Sequence, residues 1–191
     1  MSIKLVILVV IAYFLGNISP SILLGKAMGV DIKKEGSGNA GTTNALRVLG
    51  KKAAVITLVI DVAKGVIAVL LGLYAGSATI SYCCAIAVFC GHIWPCLYNF
   101  KGGKGVATAF GALLAVNWLM ALLTLLVVAI GLLLSRRMSV GSVLGAAAFP
   151  AISYFMEPGF IYFGIVMAII VIYKHKANIK RLIKGEEPRM F

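Results

Sequence analysis

A glycine-rich stretch near the N-terminus carries residue types that bind phosphate. The segment Gly36–Gly41 reads G-x-G-x-x-G, and Asp61 follows twenty residues after its last glycine, which is the spacing of the dinucleotide-binding fingerprint. That fingerprint requires a preceding strand and a surrounding βαβ unit, whereas here the polar VDIKKE precedes the glycines and an apolar helix follows them. A P-loop is excluded because Thr42 and Thr43 stand where Lys and Ser or Thr belong. Neither nucleotide motif is therefore predicted.

The backbone physics of those motifs still applies to this segment. Glycines let the chain turn so that several N–H groups point at one anion, and a helix expected to begin near Ala40 favours phosphate at its N-terminus. On that helix Thr43, Asn44 and Arg47 share a face. We expect a phosphate site, the alternative being a flexible polar loop. The candidate phosphate-binding residues are Ser37, Gly38, Asn39, Thr43, Asn44 and Arg47.

A second cluster lies in GHIWPCLYNFKGGKGVATAFG. Lys101–Gly105 reads K-G-G-K-G and enters a predicted helix on which Lys104 and Thr108 are i, i+4 neighbours. The positive charge of membrane loops alone explains the lysines but not the interleaved glycines. The candidate phosphate-binding residues here are Lys101, Gly102, Gly103 and Thr108.

Two more polar clusters follow apolar segments. Arg136–Arg137 precedes Ser139 and Ser142, which are spaced i, i+3; stop-transfer arginines and helix-packing serines are the alternative reading. In YKHKANIKRLIKGEE, His175 and Asn178 share a helix face where the last apolar segment ends. A solvated basic tail that binds anionic lipid is the alternative there.

Some polar residues lie inside apolar segments. Asp61 and Lys64 are spaced i, i+3, and each charge costs about 2.5–3.5 kcal/mol at the centre of a membrane helix. We expect a structural pair or the lining of a polar groove that extends the site. His92 is expected to be satisfied at a helix end. The cysteines lack ligand spacing and predict packing rather than a disulfide or a metal site; they are Cys83, Cys84, Cys90 and Cys96.

The elements that position these clusters are predicted to be membrane helices. Of the 191 residues 61% are hydrophobic and 13% are charged, which is too apolar for a soluble domain. We predict an all-α polytopic membrane protein, with one domain over residues 1–191 and a first helix that is retained rather than cleaved. The seven predicted transmembrane helices are 3–24, 53–75, 78–97, 105–117, 118–135, 139–156 and 159–174. The fourth is short and joins the fifth tightly around Asn117, so five or six spans stay possible.

The basic residues predict the orientation. Most of them fall in 25–52, 98–104, 136–138 and 175–191, whereas the opposite loops hold none. The positive-inside rule then places the N-terminus outside and the C-terminus in the cytoplasm, and it explains most of the net charge of +12 without nucleic acid. The polar clusters other than Asp61–Lys64 lie on the cytoplasmic side. A transporter would instead hold its substrate near the midplane.

A one-sided site rich in cations and glycines suits phosphate compounds. An acyl chain favours the bilayer by about 0.8 kcal/mol per buried CH₂, so an enzyme that joins a soluble phosphate compound to an acyl chain belongs at this boundary.

The motifs GSGNAGTTNALRVLGKK, GHIWPCLYNFKGGKGVATAFG, MSVGS and YKHKANIKRLIKGEEP resemble those of the bacterial membrane glycerol-3-phosphate acyltransferases that use acyl phosphate. The resemblance covers essentially the whole chain. It implies seven helices, a site facing the cytoplasm, and transfer of a fatty acyl group from acyl phosphate to the 1-hydroxyl of sn-glycerol 3-phosphate. The products are 1-acyl-sn-glycerol 3-phosphate and phosphate, in the first step of phospholipid synthesis. Ala177 stands where the family usually has Glu, which puts in doubt a structural role for a carboxylate at the site.

The resemblance also implies roles for particular residues. Phosphate is already a good leaving group in the donor, so positioning and charge stabilisation should dominate and no covalent nucleophile is needed. We expect the Gly36–Gly41 loop to hold one phosphate. The expected catalytic residues are Lys104, His175, Asn178 and Ser142. His175, His92 or a substrate phosphate oxygen would take the hydroxyl proton.

The remaining expectations concern partners and rival functions. We expect no cofactor, no metal and no nucleic acid, and a monomer in contact with membrane lipid in the bacterial plasma membrane. The His-x₄-Asp motif typical of acyl-CoA-dependent enzymes is absent, because Leu97 and Lys180 occupy the Asp positions after the two histidines. An organophosphate transporter is the non-enzyme alternative, and a purely structural membrane subunit is the third.

Overall fold

The computed structural model describes residues 3–191, which leaves the first two residues of the predicted 1–191 domain outside it. Regular structure in the described part is helical, as predicted. The helices are α1 Ile3–Asn17, α2 Pro20–Ala27, α3 Thr42–Val48, α4 Gly50–Tyr74, α5 Ala78–Ile93, α6 Val106–Val116, α7 Trp118–Ser135, α8 Met138–Met156, α9 Ile161–Lys174 and α10 Lys176–Ile183. Short 3₁₀ turns occur at Cys96–Tyr98 and Pro158–Phe160.

The chain divides into two compact units. Unit 1 ends at Val116 and contains α1 to α6, and unit 2 is Asn117–Phe191 with α7 to α10. One core cluster of unit 1 joins α1, α4 and α5 through small residues such as Ala12, Ala68 and Cys84. Another, which includes Ile32 and Ala45, lies beneath the glycine-rich loop.

The predicted membrane helices are confirmed in part. Within residues 3–191, five segments are long and apolar enough to cross a membrane; they are Ile3–Ala27, Gly50–Tyr74, Ala78–Tyr98, Trp118–Ser135 and Met138–Met156. A sixth is possible if Pro158–Lys174 and Lys176–Ile183, bent by 52°, form one span. Helix α6 has 11 residues and is about 17 Å long, short of the roughly 30 Å hydrocarbon core. The seven predicted spans are therefore not confirmed.

The first predicted span, expected as one helix over 3–24, is interrupted. Helix α1 ends at Asn17, and α2 begins with Pro20 at its N-terminus. Proline has no N–H to donate to the carbonyl of Gly16 four residues earlier, so the hydrogen-bond ladder of the helix stops there. The break leaves backbone carbonyl groups that need donors from elsewhere in unit 1.

Small residues allow the helices of each unit to pack closely. In unit 1, a Cβ on Gly111 of α6 would collide with the Val62 carbonyl of α4. In unit 2, a Cβ on Gly141 of α8 would collide with the Val128 carbonyl of α7. The glycines thus lie at helix crossings, the arrangement typical of helices packed in lipid, where close backbone approach replaces the hydrophobic effect.

The predicted tight join at Asn117 is confirmed, because Asn117 is the single residue between α6 and α7. Asn117 caps α7 by accepting the N–H of Met120 on its Oδ1 at 3.1 Å. Its amide nitrogen donates to the Met156 carbonyl at 3.1 Å and to the Glu157 carboxylate at 3.3 Å. One side chain thereby holds the start of α7 against the end of α8 in unit 2.

Candidate active site

The glycine-rich loop of unit 1 is held by the buried amide of Asn44. Gly36 and Gly38 have φ of +59° and +68°, a conformation that favours glycine. Asn44 Oδ1 accepts the N–H of Ser37 at 2.9 Å. Its Nδ2 donates to the carbonyls of Ile32 and Glu35, each at 3.1 Å.

These bonds revise two expectations. Both N–H bonds of the Asn44 amide are donated inside the loop, so Asn44 positions the loop and has no donor left for a phosphate. The predicted ring of backbone N–H groups is not preformed either. The N–H of Ser37 donates to Asn44, that of Gly38 to the Glu35 carbonyl at 3.0 Å, and that of Gly41 to the Asn39 carbonyl at 3.0 Å. The N–H groups that the sequence pattern assigns to an anion are instead bonded to the Asn44 amide oxygen and to loop carbonyls.

The other predicted residues of this loop lie nearer the surface. Helix α3 begins at Thr42, two residues after the predicted start near Ala40. Ser37 and Arg47 are exposed, and Thr43 is half-buried. Their side chains are placed where a soluble phosphate compound can reach them.

The structure brings the first two predicted clusters together. Gly103 packs so closely on the loop that a Cβ there would lie 2.7 Å from the Ala40 carbonyl oxygen. The N–H groups of Gly102 and Gly103 donate to the carbonyls of Ile93 and His92, each at 3.1 Å. This seats the turn Lys101–Gly105 on the end of α5. These two glycines therefore serve close packing, and their N–H groups hold the turn rather than an anion.

The cations of this turn differ in exposure. Lys101 is exposed and Lys104 is half-buried. Thr108, predicted to bind phosphate, is completely buried, and its hydroxyl has no hydrogen-bond partner within residues 3–191. Thr108 therefore lies inside unit 1, and the lysines are the groups of the turn that can reach an anion.

Lysines gather around Tyr98 beside the turn. The ammonium groups of Lys26 and Lys33 lie 5.8 and 5.3 Å from the Tyr98 ring centroid, and Lys33 also donates to the Tyr98 carbonyl at 3.2 Å. Burial lowers the pKa of Lys33; Asp31 opposes this, and the charges of Lys101 and Lys26 lower it further. Cations crowded in this way are stabilised by an added anion, which suits a phosphate-binding face.

A charged cluster lies inside unit 1. Lys64 Nζ is 2.7 Å from Asp61 Oδ1, and the two side chains are 2% exposed, which confirms the predicted pair and disfavours an open polar groove. His92 Nδ1 lies 2.9 Å from Lys64 Nζ and 3.3 Å from Asp61 Oδ1. His92 is buried in the last turn of α5, as expected for a satisfied histidine at a helix end.

Lys64 also donates hydrogen bonds to backbone carbonyl groups at the break in the first span. Its ammonium donates to the carbonyls of Gly16 at 3.1 Å and Ile18 at 2.7 Å. Gly16 O is the acceptor that the missing N–H of Pro20 leaves unpaired. A cation at this helix C-terminus is also favoured by the helix dipole.

In unit 2, one carboxylate joins the third and fourth predicted clusters. Glu187 Oε1 accepts from Ser139 Oγ at 2.8 Å and from Asn178 Nδ2 at 2.7 Å. Glu187 Oε2 accepts from Arg181 Nε at 2.7 Å, and its backbone carbonyl accepts from Arg137 Nε at 3.0 Å. The tail is thus docked against α8 and α10 of its own unit rather than solvated.

Glu187 is the residue that the sequence reasoning missed. Burial alone raises the pKa of its carboxyl group, but hydrogen bonds from Asn178, Ser139 and Arg181 outweigh this and hold the pKa below its usual value. The doubt raised by Ala177 is therefore misplaced, because a carboxylate reaches Asn178 from farther along the tail. The available signal was an acidic pair directly after Gly185 in a basic tail.

The remaining predicted residues of unit 2 are oriented by their own helices. The hydroxyl of Ser142 donates to the Met138 carbonyl at 2.9 Å, which leaves its oxygen as an acceptor. His175 Nδ1 lies 2.8 Å from the Val171 carbonyl. Because a carbonyl only accepts, Nδ1 carries the proton and Nε2 is the basic nitrogen of the neutral ring. A base oriented in this way is suited to receiving a hydroxyl proton.

Comparison with known proteins extends over nearly the whole chain. A family model described as glycerol-3-phosphate acyltransferase matches residues 6–185. The glycerol-3-phosphate acyltransferase of Clostridioides difficile (strain 630) is 43% identical over 196 residues, covering 97% of this chain and 95% of that protein. The crystal structure of PlsY, an integral membrane glycerol 3-phosphate acyltransferase, in its glycerol 3-phosphate form matches with a TM-score of 0.92 and 35% identity, covering 97% of this chain and 94% of that one. Its lysophosphatidic acid form matches with a TM-score of 0.89 at the same identity and coverage.

Proposed function

The chain belongs to the glycerol-3-phosphate acyltransferase family, and we propose that it transfers a fatty acyl group from acyl phosphate to the 1-hydroxyl of sn-glycerol 3-phosphate. The products are 1-acyl-sn-glycerol 3-phosphate and inorganic phosphate. One observation carries the acceptor and product: this fold and 35% of its residues are shared with a protein solved in a glycerol 3-phosphate form and in a lysophosphatidic acid form.

The donor is proposed from chemistry and from sequence. Acyl phosphate is a mixed anhydride, so its phosphate leaves without help from a covalent nucleophile on the enzyme. What the enzyme must supply is charge stabilisation and positioning, and unit 1 offers lysines on tightly packed turns for this purpose. The absence of His-x₄-Asp in the sequence argues against the acyl-CoA chemistry of other glycerol-phosphate acyltransferases.

The proposed step forms one bond and breaks another. The 1-oxygen of glycerol 3-phosphate attacks the acyl carbon, the bond from that carbon to the phosphate oxygen breaks, and phosphate leaves with the bonding pair. The hydroxyl proton passes to His175 Nε2 or to a phosphate oxygen. In this scheme Lys101, Lys104 and Arg47 neutralise phosphate charge, and Ser142 and Asn178 orient the acceptor.

The membrane arrangement is proposed from charge. The chain is a helical integral membrane protein, like the solved relative. Seven spans, an external N-terminus, a cytoplasmic C-terminus and a site facing the cytoplasm of a bacterial plasma membrane are proposed from the position of the basic residues. We propose that the enzyme works as a monomer and as one functional domain.

The test of the charge assignment is the turnover of Lys104→Ala in liposomes with acyl phosphate and glycerol 3-phosphate. Loss of a charge that stabilises the leaving phosphate should lower kcat by about a hundredfold or more. Lys4→Ala is the matched control, because Lys4 is exposed on α1, outside the quoted motifs and the candidate residues, and it should keep normal turnover. Near-normal turnover of Lys104→Ala would overturn the assignment. Counterflow of labelled glycerol 3-phosphate without donor would instead favour a transporter.

A further inference from the structure

The ring of His92 is fixed on one side by two buried charges. Its Nδ1 lies 2.9 Å from Lys64 Nζ and 3.3 Å from Asp61 Oδ1. Lys64 is in turn anchored to the carbonyls of Gly16 and Ile18. The position of the imidazole is thereby tied to α4 and to the break between α1 and α2.

The other side of His92 contacts the glycine–lysine turn. A Cβ on Gly103 would collide with His92 Nε2, and a Cβ on Gly102 would collide with the His92 carbonyl. The N–H of Gly103 donates to that same carbonyl at 3.1 Å. Both the ring and the backbone of His92 therefore determine where the turn lies.

Packing alone does not explain why charged groups occupy this place. A membrane interior penalises ionisable side chains, and well-packed apolar residues commonly replace a buried ion pair without loss of stability. The bonds of Lys64 to the Gly16 and Ile18 carbonyls account for the ammonium group and its Asp61 partner, whereas the imidazole leads from this pair to the turn that carries Lys101 and Lys104.

We propose that His92 is a positioning residue, held by the Asp61–Lys64 pair, that sets the geometry in which the turn Lys101–Gly105 binds a substrate phosphate. The inference rests on the proposed function in taking that turn as a phosphate-binding element. It adds a role for three buried residues of α4 and α5, namely Asp61, Lys64 and His92. Their effect reaches the reaction through the placement of the lysines.

The experiment measures KM for glycerol 3-phosphate and for acyl phosphate, kcat, and Tm on purified full-length variants. His92→Asn keeps a polar group on the side of Asp61 and Lys64 and removes the atoms against Gly103. The paired change Asp61→Asn with Lys64→Met removes the charges together, so that no lone charge is left buried. Each variant should raise KM for one phosphate substrate about tenfold to a hundredfold and lower kcat by less than Lys104→Ala does, with Tm much less affected.

Thr57→Val is the matched control on the same helix. Thr57 is buried one turn before Asp61, and its hydroxyl has no hydrogen-bond partner within the described residues. This change alters a buried polar group of α4 that makes no hydrogen bond to the cluster. Wild-type KM values are expected.

A second measurement tests the contact itself. Gly103→Ala should raise KM, and combining it with His92→Ala should cost less than the sum of the single changes, because the colliding ring is gone. The relief is partial, since the Ala40 carbonyl also lies close to the new Cβ.

The results separate this proposal from the proposed function. Three results would overturn the positioning role. The His92 and paired variants could keep wild-type KM values, activity could fall only in proportion to the folded fraction, or the costs of the His92 and Gly103 changes could be additive. Product formation by the wild-type protein in the same assay supports the proposed function independently. If the wild-type protein forms no product, the proposed function is wrong. The positioning role is then tested by ligand-induced stabilisation: glycerol 3-phosphate should raise the Tm of the wild type, and the His92 variants should lose this rise.

Discussion

The two units each contain a buried carboxylate, but the groups that satisfy it differ in kind and origin. In unit 1, Asp61 lies within a long apolar helix and is matched by Lys64 beside an imidazole. In unit 2, Glu187 comes from the tail and is matched by a hydroxyl, an amide and a guanidinium. The first cluster joins membrane helices to one another, and the second docks the end of the chain onto its helices.

This difference indicates two ways of satisfying a buried carboxylate in a helical membrane protein. In unit 1 the carboxylate lies inside the apolar core, where an unpaired charge lowers the stability strongly. Each charge of the cluster therefore needs its partner. In unit 2 the carboxylate comes from the segment that follows Gly185, a residue with φ of +73°. The partners of this carboxylate are a hydroxyl, an amide and a guanidinium that is 33% exposed, so its loss leaves no fully buried charge and costs less than the loss of one charge in unit 1.

The largest effect is expected from Lys64→Ala. The change leaves the Asp61 carboxylate buried without its ammonium partner and removes the donor of the Gly16 and Ile18 carbonyls. We expect a loss of about 3–5 kcal/mol in the free energy of unfolding, seen as a strongly lowered Tm of the detergent-solubilised protein. The paired Asp61→Asn, Lys64→Met variant should lose much less. Equal losses in the two variants would mean that the cost comes from the Gly16 and Ile18 carbonyls, which lose their donor in both, and not from an unpaired charge.

A smaller effect is expected from Glu187→Ala. It strands the Ser139 hydroxyl, the Asn178 amide and the Arg181 guanidinium, so we expect a loss of about 2–3 kcal/mol. Glu186→Ala is the control, since Glu186 is exposed, and it should shift stability by less than about 0.5 kcal/mol. Thermal unfolding of the three proteins side by side measures this. If the two substitutions have the same effect, the docked tail does not stabilise unit 2.

The pH dependence of stability follows from the lowered pKa of Glu187. A carboxyl group whose folded pKa is depressed contributes stability that is fully present above its unfolded pKa and is lost as pH falls through the folded pKa. The ordinary value is 4.5, so the loss is expected below about pH 4.5. Glu187→Gln should flatten this part of the Tm profile. A profile identical to that of the wild type would contradict the assignment.

The smallest effect concerns the lysines around the Tyr98 ring in unit 1. Tyr98→Leu removes the ring beneath Lys26 and Lys33. This change should lower the free energy of unfolding by about 1 kcal/mol. Tyr74→Leu is the matched control, because Tyr74 is 94% exposed. Denaturation of both variants in one detergent compares them. If Tyr98→Leu behaves like Tyr74→Leu, the ring does not hold the lysines.

The sequence predicts most of what depends on local pattern. Apolar runs indicate the helices, and the i, i+3 spacing of Asp61 and Lys64 indicates their pairing. Resemblance identifies the family, which the comparisons confirm. Pro20 marks the break in the first span, although the apolar run around it indicates one helix.

What the sequence does not predict depends on contacts between distant residues. Glu187 meets Ser139 across 48 positions, and no spacing rule links the two. Asn44 has the right type and position for a phosphate ligand, yet its amide is donated to loop carbonyls that only the folded loop brings near. The glycines of the second turn are similar, since their packing against His92 is a property of the fold.

The proposed reaction is acyl transfer from acyl phosphate, and the choice between two acyl donors distinguishes it from acyl-CoA chemistry. The purified protein is given glycerol 3-phosphate with acyl phosphate or, separately, with acyl-CoA, and lysophosphatidate is quantified. We predict that product forms from acyl phosphate and not from acyl-CoA, with release of one phosphate per acyl group transferred. Product from acyl-CoA alone, or from neither donor, would contradict the proposed reaction.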